Sequence, residues 1–315
     1  MHYNGHRSAV VLTFDHEMCT NFPYRNSIWD HRKGEIDAET RAYTLQQNAI
    51  AARHGVKLTY FLVAAALEDA DIAHLQQMVR DGHEIGNHTY SHVNVTATSV
   101  DDLRGIYASQ PARIGEREPR TVIVDEIRAA DALIVSKLGV KPSGFRTPYG
   151  FTDGLDQQLW LRSALLEQGF TYASSRYYGW DLWDERLADA GIEDARLLAD
   201  LRAAQPYVHA DGLWEFPIAT PTDCHVFRPW RWSVARWVEL VKRLIDLSYE
   251  HGLLLDLCCH PSILAACDPD HATITTAIEH ARSKPDGIWI TTLGEVAAAQ
   301  ATAPTSAANP EKSPL

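Results

Sequence analysis

The sequence predicts an α/β protein built as a single (β/α) barrel of seven or eight mostly parallel strands. Short runs rich in β-branched residues alternate with longer helical segments along the whole chain, which is the pattern of a parallel sheet covered by helices. About eight such runs occur, as in a closed barrel. An open doubly wound sheet is the alternative, but no GxGxxG segment follows the first strand, so the barrel is favoured.

In the first half of the chain, predicted strands and helices alternate. Gly55 and Gly139 follow two of the helices, and glycine is the residue that most readily takes the left-handed conformation that ends a helix. A fourth strand ends at Arg146. The predicted elements are strands at 8–15, 57–63 and 83–87 and helices at 37–54, 71–80 and 121–138.

The second half continues this alternation up to a C-terminal tail. Residues 180–210 form an insertion whose helical part, 184–204, is expected to cover one face of the barrel. The small, polar, proline-containing residues 301–315 are predicted to be disordered, which leaves one barrel domain at 1–300. The predicted elements are strands at 170–173, 213–218, 253–259 and 287–291 and helices at 153–168, 233–251, 272–282 and from Leu293.

Composition and charge exclude several classes of protein. The 315 residues include 29 Lys and Arg against 41 Asp and Glu, a net charge of −12, so we expect no nucleic acid partner and no membrane partner. The chain has no apolar run that could cross a bilayer, and its N-terminus lacks the order of a secretory signal. A cytoplasmic location is therefore expected unless a leader has been removed. The five cysteines are expected to be reduced thiols, and formation of a homo-oligomer stays open.

Polar residues collect where the predicted strands end. In (β/α) barrels the catalytic residues come from the C-terminal ends of the strands. The polar side chains found there in this sequence are Asp15, His16, Glu17, His88, His92, Arg146, Glu215 and His260.

Two histidines and an acid have the composition of a catalytic metal site. His88 and His92 are four residues apart, so one helical turn between them would bring both imidazoles to one face. Side chains alternate along a strand, so Asp15 and Glu17 point to one face and His16 to the other. Two histidines with one carboxylate leave a coordination position open, which is typical of catalytic zinc. Solvent-exposed histidines and acids are the alternative interpretation.

Two further motifs supply a cation and an acid–base group. In FRTPYG, Pro148 and Gly150 shape a turn that lets Arg146 pair with a carboxylate and keep it ionised. In LLLDLCCHP, an apolar strand delivers His260 to the mouth of the barrel, where it could serve as an acid or base. An arginine in a surface turn and a buried structural histidine are the alternatives.

These motifs resemble those of the polysaccharide deacetylases, the NodB-homology carbohydrate esterases. TFDHE is similar to the first motif of the family, HTYSH to its H-[S/T]-x-x-H metal motif and FRTPYG to its R-x-P-x-G motif. GLWEFPI is similar to the penultimate strand of the family and LCCHP to its final histidine motif. The likeness extends over residues 8–292 and implies that the (β/α) barrel is distorted.

The resemblance implies a role for each matched residue. Asp15 would be the general base, and Arg146 would position it. His88 and His92 would be metal ligands. His260 would be the general acid.

The first motif departs from the usual TFDD, in which the second Asp is a metal ligand. His16 stands at that position. A branch of the family has D-x-D or D-x-E instead, so Glu17 is preferred as the third ligand and His16 is the alternative. The family also has an Asp-Trp pair that orients the final histidine, and Trp180-Asp181 is the candidate for it here.

Substrate-binding residues are assigned to the mouth of the barrel. The resemblance gives the backbone N–H of Tyr149 the role of holding the developing oxyanion. Trp180 and Trp214 could stack on sugar rings, although core packing is an equal alternative for the tryptophans. The loop after the first strand could shape specificity through Phe22, Tyr24, Trp29, His31, Arg32 and Lys33.

The resemblance implies a metal-dependent hydrolase that cleaves an amide C–N bond and uses a divalent metal, with zinc as the expected ion. The expected reaction is deacetylation of an N-acetylated sugar, which is either a small molecule or an oligosaccharide. An allantoinase-like hydrolysis of a cyclic amide or imide is the alternative, since that branch has a D-x-[DE] first motif. A non-catalytic barrel that acts as a binding protein is the second alternative, suggested by His16 in place of the usual Asp.

Overall fold

A curled, mostly parallel β-sheet forms the centre of the fold. The computed structural model describes residues 1, 3–19, 33–106 and 113–302. Within these residues the sheet order is β6-β7-β5-β4-β3-β2-β1-β8, and β9 also pairs with β1. The β6–β7 pair is antiparallel, whereas the other pairs are parallel. The strands are β1 (Ser8–His16), β2 (Thr59–Leu62), β3 (Glu84–Asn87), β4 (Gly144–Phe151), β5 (Tyr172–Arg176), β6 (Tyr207–Val208), β7 (Trp214–Glu215), β8 (Leu254–Cys259) and β9 (Ile288–Thr291).

Helices lie between most of the strands along the chain and after the last strand. None of the helices in the described ranges is long and apolar enough to span a bilayer. Two 3₁₀-helices, Ala64–Glu68 and Gly179–Trp183, lie in connections between strands. The α-helices are α1 (Ala38–Arg53), α2 (Ala73–Arg80), α3 (Val100–Ile106), α4 (Pro119–Leu138), α5 (Leu159–Glu167), α6 (Leu187–Ala190), α7 (Asp194–Ala203), α8 (Asp223–Phe227), α9 (Val234–His251), α10 (Pro261–Cys267), α11 (Ala272–Arg282) and α12 (Leu293–Thr302).

Strand β1 lies at the centre of the sheet and pairs with three strands. β8 occupies one edge along 9–14, while β9 and β2 share the other edge, at 8–11 and 13–16 respectively. Every residue of β1 is buried, as expected for a central parallel strand covered on both faces. The strand therefore has two packed faces, and the alternation of its side chains decides which residues enter the barrel.

The two faces of β1 belong to different apolar clusters. Val10, Leu12 and Phe14 pack in the cluster that includes buried residues of α1, α9 and α11. Ala9 and Val11 pack in a second cluster with Phe61, Tyr172, Phe216 and Leu254. Because side chains alternate along a strand, odd-numbered residues of β1 face the barrel interior and even-numbered residues face the helices.

Side-chain hydrogen bonds bridge the gap between the two ends of the sheet. The side chain of Gln205 accepts from the backbone N–H of Leu254 at 2.9 Å and donates to its carbonyl oxygen at 2.9 Å. Gln205 precedes β6, and Leu254 begins β8. Since a side chain takes the place of a strand ladder here, the predicted distorted (β/α) barrel is confirmed as a mixed α/β fold with an incompletely closed sheet.

Several predicted helix ends are confirmed by their capping contacts. Asp37 precedes α1 and its side chain accepts from the backbone N–H of Thr40 at 2.9 Å. Ser233 caps α9 in the same way. Gly139 ends α4 with φ 72°, the left-handed conformation that glycine adopts without steric cost.

The differences from prediction lie in short or irregular segments. The helix predicted at 153–168 begins at Leu159, because 152–157 form turns, and the strand predicted at 213–218 is only Trp214–Glu215. The elements α3, α8, α10 and β6 were not predicted, since each has at most seven residues and shows little periodicity.

The predicted insertion and tail have different outcomes. In 180–210 the structure has the end of the second 3₁₀-helix, α6, α7 and β6, and Leu197 and Leu201 of α7 are buried in the same cluster as Leu240 and Leu244 of α9. The last helix includes residues 301 and 302. The rest of the predicted tail, 303–315, lies outside the described residues, so its disorder stays a prediction.

Candidate metal centre

The end of β1 directs two acids into the barrel and a histidine away from it. Asp15 and Glu17 lie on the interior side, as the alternation predicts, and both line one cavity. His16 is fully buried on the opposite side, where its Nε2 is 3.2 Å from Nε2 of His74 and its ring lies edge-on to Tyr60. His16, the alternative third ligand, is therefore remote from the cavity.

The segment between His88 and His92 brings the two imidazoles together without forming a helix. Thr89 and His92 both have φ 62°, so the helical turn expected there is wrong. Asn87 Oδ1 accepts from the backbone N–H of Thr89 at 2.8 Å, and Thr89 Oγ1 accepts from that of Val93 at 3.2 Å. These side-chain bonds replace the helical hydrogen bonds, and the two rings still meet with centroids 5.0 Å apart.

One donor atom from each of Glu17, His88 and His92 converges on a common point. Glu17 Oε2 is 2.8 Å from His92 Nε2 and 3.5 Å from His88 Nε2, and the three donor atoms all lie within 4.8 Å of one another. The carbonyl oxygen of Arg146 accepts from His88 Nδ1 at 2.9 Å. A carbonyl can only accept, so Nδ1 carries the proton and Nε2 keeps its lone pair for a ligand. This donor set fits a divalent cation such as zinc.

Arg146 joins Asp15 to a second buried acid. Its Nη1 donates to Asp15 Oδ1 at 2.9 Å and its Nη2 to Asp256 Oδ2 at 2.6 Å, while the guanidinium lies 4.2 Å above the ring of Phe61. Burial opposes ionisation of Asp15, but the Arg146 charge holds its pKa below the usual range. Burial raises the pKa of Asp256 to about 6 despite the same arginine. Arg146 is the third residue of β4 and does not end the strand as predicted.

His260 follows β8 and faces Asp15 across the cavity. Its Nε2 is 3.7 Å from Asp15 Oδ2 and 3.8 Å from Glu17 Oε1. Asp223 accepts from the backbone N–H of His260 at 2.6 Å and lies 3.0 Å from its Nδ1. Burial lowers the pKa of His260, but nearby Cys224 and Asp223 outweigh it and raise the pKa well above its ordinary value.

The residue that orients His260 is therefore Asp223, and the Trp180-Asp181 candidate is wrong. Asp181 instead forms an ion pair with Arg196 at 2.9 Å. Asp223 is the first residue of α8, directly after the N-cap Thr222. The sequence signal that could have found it is this Thr-Asp pair at a helix start, 37 residues before His260.

Lys33 also belongs to the site, and the sequence did not reveal its contact with Glu17. Its ammonium forms an ion pair with Glu17 Oε1 and lies 3.5 Å from His92 Nε2. Burial opposes ionisation of Glu17, yet the Lys33 charge and His92 hold its pKa well below the usual range. The other loop residues predicted to shape specificity, Phe22, Tyr24, Trp29, His31 and Arg32, lie outside the described residues.

A cavity of about 560 Å³ with aromatic walls is lined by the acids, the lysine and the histidines of the site, which are Asp15, Glu17, Lys33, His88, His92 and His260. Tyr149 has φ 59°, and its ring contacts that of His92 at a centroid distance of 4.9 Å. Trp180 is 50% exposed and packs edge-on against Tyr177. The remaining aromatic side chain of the lining is Trp183.

Besides His16 and Arg146, two further predicted site residues, Trp214 and Glu215, do not line this cavity. Trp214 pairs with Tyr172, the first residue of β5, so it lies at the N-terminal end of the strands, opposite the site, and packs beside Phe216. Glu215 is fully buried and accepts hydrogen bonds from the backbone N–H groups of Ser175 and Arg176 at 2.7 and 2.8 Å. It therefore links β7 to β5, and burial raises its pKa to about 7.

Two solved structures share the fold over nearly the whole chain. One is a probable polysaccharide deacetylase from Pseudomonas aeruginosa PAO1, with 16% identity, a TM-score of 0.61 and coverage of 94% of this chain and 91% of the other. The other is Puue allantoinase, with 16% identity, a TM-score of 0.63 and coverage of 96% and 93%. Identities this low support a common fold and nothing finer. No curated protein matches the chain at a significant level.

A family model adds evidence from the sequence itself. The model for polysaccharide deacetylases matches residues 2–163, a stretch that contains β1 through β4. Asp15, Glu17, His88, His92 and Arg146 all lie in the matched stretch. With this match over half of its length, and with the fold described above, the chain belongs to the polysaccharide deacetylase family.

Proposed function

We propose that this protein is a metal-dependent hydrolase that cleaves an amide C–N bond, with an N-acetylated sugar as its substrate. The observation that carries the proposal is the convergence of three ligand atoms, from Glu17, His88 and His92, within 4.8 Å of one another. Asp15 and His260 line the same cavity. Ligands, a base and an acid in one cavity are the components that metal-assisted hydrolysis requires.

The cation would be held by Glu17 Oε2 and by the Nε2 atoms of His88 and His92, and zinc is the expected ion. When bound, such a cation would polarise a carbonyl oxygen and lower the pKa of a bound water toward about 7. Three protein ligands leave at least one coordination position for water or substrate.

Asp15 is proposed as the general base. Its Oδ1 is held by Arg146 at 2.9 Å, while its Oδ2 is 4.0 Å from His88 Nε2 and 3.7 Å from His260 Nε2. The arginine keeps the carboxylate ionised and leaves Oδ2 at the edge of the proposed cation site. From this position Asp15 can accept the proton of a water that attacks the substrate carbonyl.

His260 is proposed as the general acid. Asp223 holds its Nδ1 at 3.0 Å, so Nε2 faces the cavity beside Asp15 Oδ2. A proton at Nε2 can pass to the departing nitrogen, which turns a poor leaving group into an amine. Proton transfer by a positioned group of this kind contributes roughly 10²–10⁴-fold to the rate.

The oxyanion that forms when water attacks the carbonyl needs a donor besides the cation. The backbone N–H of Tyr149 is proposed for this role, since Tyr149 lines the cavity and contacts the His92 ring. A well-placed donor stabilises the transition state by about 3 kcal/mol.

The substrate is proposed to be a sugar because the cavity combines aromatic walls with a polar floor. The half-exposed Trp180 offers a face on which a sugar ring can stack. A cyclic amide or imide is the second candidate, supported by the position of Glu17 two residues after Asp15 and by a cavity of about 560 Å³, which is large enough for a small ring.

A hydrolysis screen tests the proposed function. The zinc-loaded protein is incubated with N-acetylated mono- and oligosaccharides and with cyclic ureides and imides, and released acetate is measured beside ring opening. We expect acetate from at least one sugar and none from an Asp15→Asn control. Ring opening without acetate would favour the cyclic amide. Absence of both reactions, with metal bound, would favour the non-catalytic binding protein.

A further inference from the structure

A buried lysine lies against the proposed cation site. The side chain of Lys33 is 3% exposed and that of its partner Glu17 is 4% exposed. The lysine ammonium contacts Glu17 Oε1, while Oε2 of the same carboxylate faces the imidazoles of His88 and His92. One oxygen of Glu17 therefore pairs with the Lys33 ammonium, and the other faces the two histidines of the proposed metal site.

The Glu17 carboxylate already has a positively charged partner. Lys33 neutralises the Glu17 carboxylate, and the two imidazoles act as metal ligands only in their neutral form. Arg146 pairs with Asp15 and Asp256. His260 pairs with Asp223 and lies 3.8 Å from Glu17 Oε1. A divalent cation bound to Glu17 Oε2 and the two Nε2 atoms would add two positive charges within a few ångströms of the ammonium, in a site with little water to screen the repulsion.

The contact with His92 makes this competition direct. Lys33 Nζ lies 3.5 Å from His92 Nε2, which is the atom that would bind the cation. The ammonium and the cation therefore compete for the same side of the imidazole and for the charge of the same carboxylate. The four-carbon stem of lysine allows its head group to move away without moving the backbone.

We propose that Lys33 competes with the metal ion for Glu17, and that its ammonium withdraws from this carboxylate when a divalent cation binds. Lys33 thereby sets the affinity of the site for metal. The inference rests on the proposed function, because it assumes that Glu17, His88 and His92 are the ligands. It implies that the wild-type site binds metal less tightly than the same three ligands would without the lysine.

Metal affinity of charge variants at position 33 tests this inference. Dissociation constants for Zn²⁺ and Co²⁺ are measured by competition with a chromophoric chelator. Lys33→Met is expected to bind both ions at least about tenfold more tightly than the wild type, since one nearby positive charge is removed. Lys33→Arg retains the positive charge and is expected to bind both ions no more tightly than the wild type. Lys57→Met, a change at an exposed lysine, is the matched control and should leave the affinity unchanged.

Thermal unfolding gives a second measurement on the same variants. Without metal, Lys33→Met is expected to melt at a lower temperature than the wild type, because Glu17 remains as a buried carboxylate without its counter-charge. Zinc should then raise its melting temperature by more than it raises that of the wild type. If Lys33→Met does not fold, Lys33→Gln replaces it, since a neutral amide can still donate to Glu17.

The outcomes separate this inference from the proposed function. If both neutral variants bind metal no more tightly than the wild type, while Glu17→Gln and His88→Ala lose it, the competitor role is overturned and the metal site stands. If Glu17→Gln and His88→Ala bind metal as the wild type does, the ligand assignment fails and the role of Lys33 fails with it.

Discussion

Asp15→Asn is expected to lower the turnover number by at least about 10³-fold while the protein keeps its fold and its metal. The amide cannot accept a proton from water, so the base is lost. It keeps the size of the carboxyl and can still accept from Arg146, whose other carboxylate partner, Asp256, remains at 2.6 Å. Turnover is measured on the substrate found in the screen, and metal content by atomic emission.

A matched acid on the surface provides the control for this variant. Asp125 pairs with Arg117 where both side chains are more than 40% exposed, so Asp125→Asn should keep full activity. An Asp15→Asn protein that retains metal and more than about one tenth of wild-type turnover would show that Asp15 is not the base.

Arg146→Met is expected to lower the free energy of unfolding by about 3–5 kcal/mol, because removal of the arginine leaves the buried Asp256 without a counter-charge and Asp15 with His260 in place of its closer partner. Asp256 is 1% exposed and does not line the cavity, so water cannot replace its lost interaction. The measurement is urea unfolding of the metal-free protein at pH 8.

The pH dependence of this loss has a defined sign. Without Arg146, the pKa of both carboxyls rises, so the folded variant takes up protons as the pH falls while the unfolded chain does not. Relative to the wild type, the variant should therefore recover stability as the pH falls from about 8 toward about 6, the pKa of Asp256 in the wild type. A penalty that stays constant over this range would contradict the electrostatic explanation.

Arg162→Met is the control that tests whether the loss of stability depends on burial of the carboxylate that remains. Arg162 is as inaccessible as a core residue, but the side chain of its partner Asp211 is 29% exposed. Water can solvate the freed carboxylate, so the expected loss is smaller than that of Arg146→Met. A loss of equal size would mean that packing of the arginine, and not the unpaired acids, determines the effect.

The sequence was sufficient for those parts of the site that depend on local order. The alternation along β1 correctly predicts that the side chains of Glu17 and His16 lie on opposite faces, because a strand fixes side-chain direction from one residue to the next. The four-residue spacing of His88 and His92 predicts their proximity, but the conformation differs. The left-handed residues at Thr89 and His92 depend on contacts that the spacing does not encode.

The parts that could not be predicted depend on distant pairings. Arg146 meets Asp256 across 110 residues of sequence and His260 meets Asp223 across 37. No local pattern specifies such pairs, although an acid inside the apolar strand LLLDLCC signals that some counter-charge must exist. Trp214 was wrongly predicted to bind substrate. An aromatic residue on a short strand does not reveal at which end of the barrel its side chain lies.

The central claim is that Glu17, His88 and His92 hold one divalent cation, and the metal content of purified variants tests it most directly. After equilibration with a slight excess of zinc and removal of free ions, the wild type should contain about one ion per chain, a His16→Gln variant should contain the same, and both Glu17→Gln and the His88→Ala, His92→Ala double variant should contain none. Full zinc occupancy in the double variant, or loss of zinc in His16→Gln with retention in Glu17→Gln, would contradict the account.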